Sequence, residues 1–348
     1  MMYLLLTADS FMESALEELG RCSSYKIVDS HGRVLVAELD ATDVSALSAA
    51  KFIFSYFPIA SVAGIDYSRY IETVQGCALA IGIPAGEKVK FECFDINCKH
   101  GYSAKDIEVA VGKAMETHGI AVDLARPTVL AYSIMLNSRC YSGYVRLSDS
   151  SHGYIDPFRI YSKKVVSRSE LKLAEAFDEF GIATPRTAID IGAAPGGWSA
   201  FMARKGAAVI AIDMAMLDAA SIGRFGLSVV DVHADKCARA IDEWDRRKSI
   251  LHIIGSASSA AGCIGGVEAD LVANDMNAGP VRSSQAALLF SGIMPSGAAL
   301  IMTVKCMRRN VIKYMEEAQA ALDSQFEIRR WKVLPHNRQE ITLFAVKR

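Results

Sequence analysis

The sequence predicts an α/β protein whose C-terminal half is a doubly wound parallel sheet. From residue 167 onward, short apolar runs typical of strands alternate with helical stretches. The first of these runs ends in a loop of small residues, and the last two are joined by a turn too short for a crossover helix. The N-terminal half shows a different order, typical of smaller α+β units. At 348 residues, 51% of them hydrophobic, the chain is long enough to bury more than one core.

Residues 1–65 are predicted to form the first small unit. Ser10 followed by Glu13 has the spacing of a capping box, which would open the first helix. The resulting βαββαβ order suits a ferredoxin-like fold. The predicted elements are a strand over 2–6, a helix from Ser10 to about Leu19, strands over 24–28 and 34–38, a helix over 44–51 and an apolar strand over 57–63.

Residues 66–150 are predicted to form a second unit. A helix over 67–80 precedes a strand over 88–96, and Ser103-Ala104-Lys105-Asp106 is expected to cap a helix that ends at Thr117. After a turn over 119–127, strands over 128–136 and 139–146 form a hairpin. This region resembles a THUMP domain, an RNA-binding module. The residues that carry the resemblance are the helix 104–117, Val122-Asp123-Leu124 with Pro127, and the strand pair ending Tyr141-Ser142-Gly143-Tyr144-Val145.

Residues 151–348 are predicted to form the third and largest domain. A stretch over 147–157 rich in Ser, Asp, Gly and Pro indicates the linker before it. A parallel sheet finished by an antiparallel hairpin is the outline of a class I (Rossmann-like) methyltransferase. The predicted parallel strands are 187–191, 207–212, 228–232, 270–274 and 298–304, and the hairpin strands are 326–333 and 341–346.

The loop after the first of these strands predicts a nucleotide-type ligand. Small residues let a ligand approach the backbone, and a helix beginning at Trp198 offers unpaired N–H groups. A dinucleotide fingerprint requires glycine where Ala194 stands, which argues against a pyrophosphate. S-adenosylmethionine has no phosphate and fits better. The predicted contacts from this loop are Gly192, Ala194, Pro195, Gly196, Gly197 and Trp198.

Acidic residues at three successive strand ends support the same cofactor. Asp213 ends the second strand, where a carboxylate can accept both ribose hydroxyls. Asp235 follows the third predicted strand, where it could take the adenine amino group, and Asp275 ends the fourth. Each acid alone is more commonly a solvated strand end. The loop together with all three predicts a site for S-adenosylmethionine.

Four ionisable residues are expected to converge beside that cofactor: Lys172, Asp275, Lys305 and Glu340. Strand carboxyl ends share one edge of an open sheet, and an antiparallel last strand begins at that edge. A ribose hydroxyl is a poor nucleophile until its proton is removed or polarised. Lys305 is the predicted group facing the hydroxyl. Lys172 would tune its pKa, and the two carboxylates would orient the lysines.

The four residues resemble the Lys-Asp-Lys-Glu tetrad of the FtsJ/RrmJ-like RNA ribose 2′-O-methyltransferases, and Asp190–Ser199 is similar to their cofactor loop. The resemblance implies S-adenosylmethionine as cofactor, Ser169 as a further cofactor contact and Lys305 as the proton acceptor. The segments Ser167–Phe177 and Arg338–Thr342 resemble members that modify large-subunit rRNA. RNA is therefore the expected partner, with rRNA favoured over tRNA.

Three other functions remain open on the sequence. Base N-methylation would require an Asn/Asp-Pro-Pro-aromatic motif where this chain has Asn274-Asp275-Met276-Asn277. A non-catalytic RNA-binding or ribosome-assembly factor could keep the fold, but it would tolerate loss of tetrad members. A dinucleotide oxidoreductase lacks its second loop glycine.

Charge is unevenly spread although the formal net charge is only −1. Residues 1–79 hold 5 basic and 10 acidic side chains, whereas residues 155–348 hold 25 and 21. RNA contact would therefore come from local clusters, which would form a phosphate track around the active-site edge. The clusters are Arg159, Lys163, Lys164 and Arg168; Arg308, Arg309 and Lys313; and Arg329, Arg330, Lys332 and Arg338.

The remaining expectations concern cysteines and location. The eight cysteines form no CxxC pair, and Cys93, Cys98 and His100 lack ordinary zinc spacing, so reduced, mostly buried thiols and no metal are expected. No uninterrupted apolar run is long enough to span a bilayer, and residues 1–10 lack the basic flank of a secretory signal. A cytoplasmic protein without membrane contact or an obligate protein partner is expected.

Overall fold

The computed structural model describes residues 1–40, 44–149, 165–246, 249–306 and 311–348. The chain divides into two compact units, Met1–Phe158 and Arg159–Arg348. The boundary predicted between residues 150 and 151 lies outside the described residues, as does most of the predicted linker. The division of the first unit into two domains stays a prediction.

The first unit begins with a four-stranded antiparallel sheet in the order β2-β3-β1-β4. Its elements follow the predicted βαββαβ order. The capping box predicted at Ser10 is wrong: the helix begins at Met12 after a short 3-10 turn, and its N-cap is Phe11 without a side-chain hydrogen bond. The elements are β1 (Met2–Thr7), α1 (Met12–Cys22), β2 (Tyr25–His31), β3 (Val34–Leu39), α2 (Val44–Ala49) and β4 (Ile53–Ile59).

A second sheet of the same unit has the order β5-β9-β8-β6-β7. The strand predicted over 57–63 is in fact divided: β4 ends at Ile59, and residues 61–64 pair with the second sheet. The cap at Ser103 is confirmed, since its hydroxyl accepts from the backbone N–H of Asp106 and the Asp106 carboxylate accepts in return. The elements are β5 (Ser61–Gly64), α3 (Tyr70–Leu79), β6 (Lys88–Asp95), α4 (Ala104–Thr117), β7 (Ala121–Val122), β8 (Val129–Leu136) and β9 (Arg139–Arg146).

The two sheets of the first unit share a core. Leu4 and Phe57 of the first sheet pack against Tyr132 and Tyr141 of the second. The Phe57 and Tyr132 rings meet edge to face at 5.3 Å, a favoured aromatic geometry. A separate cluster, which includes Val74 of α3 and Val111 of α4, covers the other part of the second sheet.

The second unit is an eight-stranded sheet in the order β12-β13-β11-β10-β14-β15-β17-β16. Strands β10 to β15 pair in parallel, and β17 is antiparallel to both β15 and β16, as predicted. The elements are α5 (Ser169–Phe180), β10 (Thr187–Ile191), α6 (Gly197–Arg204), β11 (Ala208–Asp213), α7 (Ala219–Gly223), β12 (Ser228–His233), α8 (Cys237–Glu243), β13 (Ser249–Ile254), α9 (Ala257–Ala261), β14 (Leu271–Asn274), α10 (Pro280–Leu288), β15 (Ala299–Lys305), α11 (Val311–Leu322), β16 (Phe326–Lys332) and β17 (Glu340–Lys347).

Strand β13 was not predicted, and it changes the order of the sheet. It lies between β11 and β12, so that β12 does not pair with β11. Its run of apolar residues is interrupted by His252, which is fully buried and whose Nδ1 lies 2.7 Å from Asp231 Oδ1 on β12. A buried parallel strand is recognised in a sequence as a continuous apolar run, so a polar residue in the middle of a short run prevents its prediction.

Helices α5 and α6 pack on the centre of this sheet. Leu173 and Phe177 of α5 and Met202 of α6 belong to one buried cluster with Val209 and Ile301 of the strands. These helices flank the loop after β10, so their packing determines the position of the loop. No helix in the described ranges is both long and apolar enough to cross a membrane.

The expectation of reduced cysteines is wrong for one pair. Cys237 of α8 and Cys263, which follows α9, form a disulfide with a Cα–Cα distance of 6.0 Å. The free cysteines are buried except Cys22. Within the described residues no three His, Cys, Asp or Glu side chains are placed to hold a metal ion.

Candidate active site

Two lysines and two carboxylates form a closed ring of ion pairs at one edge of the large sheet. Lys172 Nζ lies 3.3 Å from Asp275 Oδ2 and 2.5 Å from Glu340 Oε1. Lys305 Nζ lies 2.8 Å from Asp275 Oδ1 and 2.5 Å from Glu340 Oε2. Each lysine therefore contacts both carboxylates. All four side chains are largely buried, so water screens these interactions weakly.

The topology explains why these four residues meet. Asp275 directly follows β14, Lys305 ends β15, and Glu340 begins β17. Because β15 and β17 are antiparallel, Lys305 and Glu340 are register partners. Lys172 lies in the first turn of α5 and reaches the same edge from the helix.

Carboxylates dominate the electrostatics of the ring. Burial alone would lower the pKa of Lys305, but Asp275 and Glu340 outweigh it and hold that pKa above the usual lysine value. The pKa of Asp275 is low, because both lysines outweigh the effect of its burial. The raised pKa of Lys305 is opposite to the lowering that a neighbouring lysine was expected to cause. Lys305 is thus an ammonium ion near neutral pH.

Thr303 is a site residue that sequence reasoning missed. Its Oγ1 donates to Asp275 Oδ1 at 2.7 Å, the same oxygen that Lys305 contacts. Side chains alternate along a strand, so Thr303 and Lys305 lie on one face of β15. The two-residue spacing between Thr303 and Lys305 is the sequence feature that could have identified Thr303 as a site residue.

The loop after β10 brings backbone close to the ring. Gly192 has φ +74°, and a Cβ there would lie 2.9 Å from Met276 Cγ and 3.0 Å from its Cα. Gly196 has φ +107°, and a Cβ at Gly197 would lie 2.2 Å from Ser167 Oγ. Only glycine fits these positions. The loop therefore presents bare backbone at the carboxyl end of β10, as a cofactor cradle requires.

Asp213 is held at the end of β11 by two backbone donors. Its Oδ2 accepts from the N–H of Ala194 at 3.0 Å, and its Oδ1 accepts from the N–H of Ala215 at 2.8 Å. The contact with Ala194 joins this carboxylate to the loop. Each oxygen keeps a lone pair for a ligand hydroxyl. This geometry fits the ribose diol of S-adenosylmethionine.

Trp198 and Ser169 tie α5 to α6. The indole Nε1–H of Trp198 donates to the Ser169 carbonyl at 2.8 Å, and the Trp198 side chain packs in the core. The Ser169 hydroxyl lies 2.8 Å from Ser167 Oγ. The structure thus uses the Trp198 ring for packing, leaving only its backbone for the predicted cofactor contact. Pro195 accepts from the N–H of Asp218 through its carbonyl and so fixes the loop on its other side.

Asp235 lies apart from the other predicted acids. It belongs to the short 3-10 helix Ala234–Lys236 after β12, and its side chain is exposed. Because β13 separates β12 from β11, the strand next to Asp213 is β13, which is followed by Gly255 and Ser256. Of the predicted roles, the adenine contact of Asp235 therefore receives the least support from this sheet order.

Asp190, inside the loop motif, is a buried acid without an assigned role. It is 1% exposed, and its Oδ2 accepts from the Ser199 hydroxyl at 2.6 Å. Its Oδ1 has no hydrogen-bond partner among the described residues. Burial raises its pKa to about 7, and the negative charges of Asp275 and Asp213 add to the shift.

The predicted basic clusters are only partly available for RNA. Arg330 and Lys332 both pair with Glu179, and Arg329 pairs with Glu327. Arg168, Lys313 and Arg338 are exposed. The other members Arg159, Lys163, Lys164, Arg308 and Arg309 lie outside the described residues.

Comparison with known proteins agrees with this architecture. Residues 165–327 match the family model of the FtsJ-like methyltransferases. This part of the chain is an FtsJ-like methyltransferase domain. S-adenosylmethionine is the cofactor of such domains, and the glycine loop with Asp213 fits it.

Two curated relatives match about a third of this chain or less, and one solved structure aligns along all of it. Ribosomal RNA large subunit methyltransferase M of Pseudomonas putida (strain GB-1) is 32% identical over 118 residues, 31% of this chain and 33% of the relative. The protein of that name from Tolumonas auensis is 37% identical over 101 residues, 26% and 27% of the two chains. The matches thus span a third or less of these relatives. The crystal structure of TrmN from Thermus thermophilus aligns over 100% of both chains with 17% identity and a TM-score of 0.40.

Proposed function

We propose that this chain is an S-adenosylmethionine-dependent RNA ribose 2′-O-methyltransferase that acts on large-subunit rRNA. The observation that carries the proposal is the ring of Lys172, Asp275, Lys305 and Glu340. A purely structural ion-pair network needs no such closed arrangement beside a glycine loop. The names of the matched relatives support rRNA as the substrate, and tRNA is the alternative. The cofactor-binding residues proposed are those of the loop with Ser169, Asp213, Asp235 and Asp275.

In this proposal the ring activates the ribose hydroxyl. Lys305 faces the hydroxyl and orients its oxygen, while Asp275 and Glu340 hold the Lys305 Nζ in place at 2.8 and 2.5 Å. When bound, the cofactor would supply an electrophilic methyl group on a sulfonium, and that positive charge would lower the pKa of a nearby lysine. Lys305 then takes the hydroxyl proton in its neutral form. The proton that Lys305 gives up beforehand leaves to solvent, so taking the hydroxyl proton restores the ammonium ion of the resting ring.

The N-terminal unit would select the RNA. We propose a ferredoxin-like domain over residues 1–65 and a THUMP-like domain over residues 66–150. The βαββαβ order of the first sheet supports the former, and the helix α4 followed by the β8–β9 hairpin supports the latter. Separate RNA-binding and catalytic units suit a substrate that is much larger than the active site.

Lys305→Ala tests the catalytic role. General acid–base catalysis contributes about 10²–10⁴-fold, so methyl transfer to large-subunit rRNA should fall by that factor. S-adenosylmethionine binding, followed by calorimetry, should persist. Lys26→Ala is the matched control, since Lys26 is an exposed lysine on β2. Near-normal turnover by Lys305→Ala would refute the assignment.

The substrate is tested by mass-spectrometric mapping of ribose methylation in cells with and without this gene. Loss of one 2′-O-methyl group from large-subunit rRNA is the expected result. Loss from tRNA instead would support the alternative substrate. An unchanged pattern, together with RNA binding by the purified chain, would favour a non-catalytic assembly factor.

A further inference from the structure

The first unit contains a cavity that the proposed reaction does not use. It encloses about 370 Å³ between the end of β6, the loop that follows it and the first turn of α4. That volume falls in the range of about 300–1,000 Å³ typical of small-ligand sites. Its floor is apolar and comprises Cys93, Ile107 and Met135, all buried. We name it the Tyr102 pocket, after the most exposed aromatic residue that lines it.

The rings of His100 and Tyr102, which line the pocket, and the ring of Tyr70, which does not, lie within 30° of parallel. The rings of Tyr70 and His100 stack at 4.1 Å, and the Tyr102 ring lies 6.0 Å from Tyr70 at an interplanar angle of 20°. Tyr70 is buried, whereas Tyr102 is 46% exposed. The Tyr70 hydroxyl is buried and has no hydrogen-bond partner among the described residues. A flat aromatic ligand could extend this stack.

The polar groups of the pocket favour a ligand that donates hydrogen bonds. Asp95 Oδ1 accepts from the backbone N–H of Cys98 at 2.7 Å, and Oδ2 contacts His100 Nε2. A carboxylate has about four lone-pair sites, so each oxygen can accept once more. An exocyclic amino group on a base supplies such a donor.

Positive charge lies beside the aromatic stack. Lys99 lines the pocket, and Lys105 is exposed in the first turn of α4. Within the described residues neither lysine forms an ion pair, so both are available for backbone phosphates. Stacking rings flanked by cations are typical of single-stranded RNA sites.

We propose that the Tyr102 pocket receives one unstacked base of a single-stranded RNA segment, with the exocyclic amino group of that base directed at Asp95. The inference rests on the proposed function, because it takes RNA as the substrate. Cytosine and adenine, which carry amino groups, would be preferred over uracil. The pocket would hold a nucleotide other than the methylated one and so contribute to choice of substrate.

The test measures binding of fluorescein-labelled rC8, rA8 and rU8 to the full chain by anisotropy at one salt concentration. The wild type should bind rC8 and rA8 more tightly than rU8. Tyr102→Ala should weaken binding of rC8 about tenfold, the size of one lost base–aromatic stack. Tyr102→Phe keeps the ring and should bind as the wild type does. Asp95→Asn should reduce the preference for rC8 over rU8.

Val109→Ala is the matched control, since Val109 is exposed on α4 but does not line the pocket. Equal rC8 affinity for Tyr102→Ala and wild type would overturn the inference, as would free CMP binding as tightly as rC8. Methyl transfer to rRNA is measured on the same proteins. If methyl transfer depends on Lys305 but Tyr102→Ala binds rC8 as the wild type does, the proposed function stands and only the pocket proposal is refuted.

Discussion

Lys305 and Glu340 are direct register partners across β15 and β17, and their side chains meet at 2.5 Å. The other oxygen of Glu340 contacts Lys172 at the same distance. One carboxylate therefore stabilises both ammonium groups and fixes the distance between the helix α5 and the sheet edge. Removing its charge should lower the pKa of Lys305.

Glu340→Gln should shift the pH profile of methyl transfer toward lower pH. Glu340 raises the pKa of Lys305, so the variant leaves Lys305 neutral at a lower pH than in the wild type. The maximal rate should fall about tenfold or more because Lys305 is held less firmly. The measurement is kcat against pH with saturating cofactor. Glu327→Gln is the control, since Glu327 is a half-exposed glutamate on β16, and an unshifted rising limb would contradict the role assigned to Lys305.

Glu175 should act as a positioning residue for the turn before Glu340. It is 0% exposed, lies three residues after Lys172 on α5, and accepts from the backbone N–H of His336 at 3.0 Å while its other oxygen contacts the His336 ring. Asn337 closes the turn by accepting from the N–H of Leu334. The same helix thus holds the turn and pairs with Glu340.

Glu175→Gln should lower the free energy of unfolding by about 1–3 kcal/mol, the cost of an unsatisfied buried group. It should also lower kcat without changing the KM for RNA. Glu179→Gln is the matched control on the same helix, because Glu179 pairs with Arg330 and Lys332 of β16. Equal losses of stability with equal kcat values in both variants would show that Glu175 has only a structural role.

The glycine loop gives a test of cofactor approach. Gly192 and Gly206 both have positive φ, but a Cβ at Gly206 meets no atom within 4 Å. Gly206→Ala should therefore cost only the backbone strain of about 1–2 kcal/mol. Gly192→Ala adds overlap with Met276, for about 1–3 kcal/mol more, and should weaken S-adenosylmethionine binding. Denaturant unfolding and calorimetry measure the two effects, and normal cofactor affinity in Gly192→Ala would argue against the loop as a cradle.

The ring was predictable from the sequence because three of its members stand at the ends of predicted strands. Asp275, Lys305 and Glu340 each stand at the end or start of a recognisable apolar run, and parallel sheets bring such positions to one edge. Contacts that depend on side-chain orientation were not predictable in this way. Glu175 and His336 are 161 residues apart, and nothing in their local sequence marks either as a partner.

Two sequence predictions, the capping box at Ser10 and a sheet without β13, are wrong for reasons that lie in the local sequence pattern. Ser10 and Glu13 have capping-box spacing, but a 3-10 turn moves the start of α1 to Met12, so Ser10 is not the N-cap. Strand β13 is hidden by His252, and its insertion next to β11 weakens the argument for Asp235. Sheet order depends on long-range packing, which strand-by-strand reading does not contain.

Asp190 should make the stability of the second unit fall as pH rises. Its folded pKa of about 7 lies above its usual value of 3.8, so between these limits the folded chain binds more protons than the unfolded chain. The favourable contribution of the protonated carboxyl is therefore present below about pH 4 and lost as pH rises through 7. Asp190→Asn cannot ionise and removes this dependence.

The variant should gain stability relative to the wild type as pH rises from 4 to 7.5, by on the order of 2–4 kcal/mol. Urea unfolding at closely spaced pH values measures the difference, in which the titration of all other groups cancels. Asp242→Asn serves as control, because Asp242 is exposed on α8. If the free energies of unfolding of Asp190→Asn and the wild type change with pH in the same way, Asp190 is already ionised at pH 5. Its unpartnered oxygen is then solvated in the folded chain.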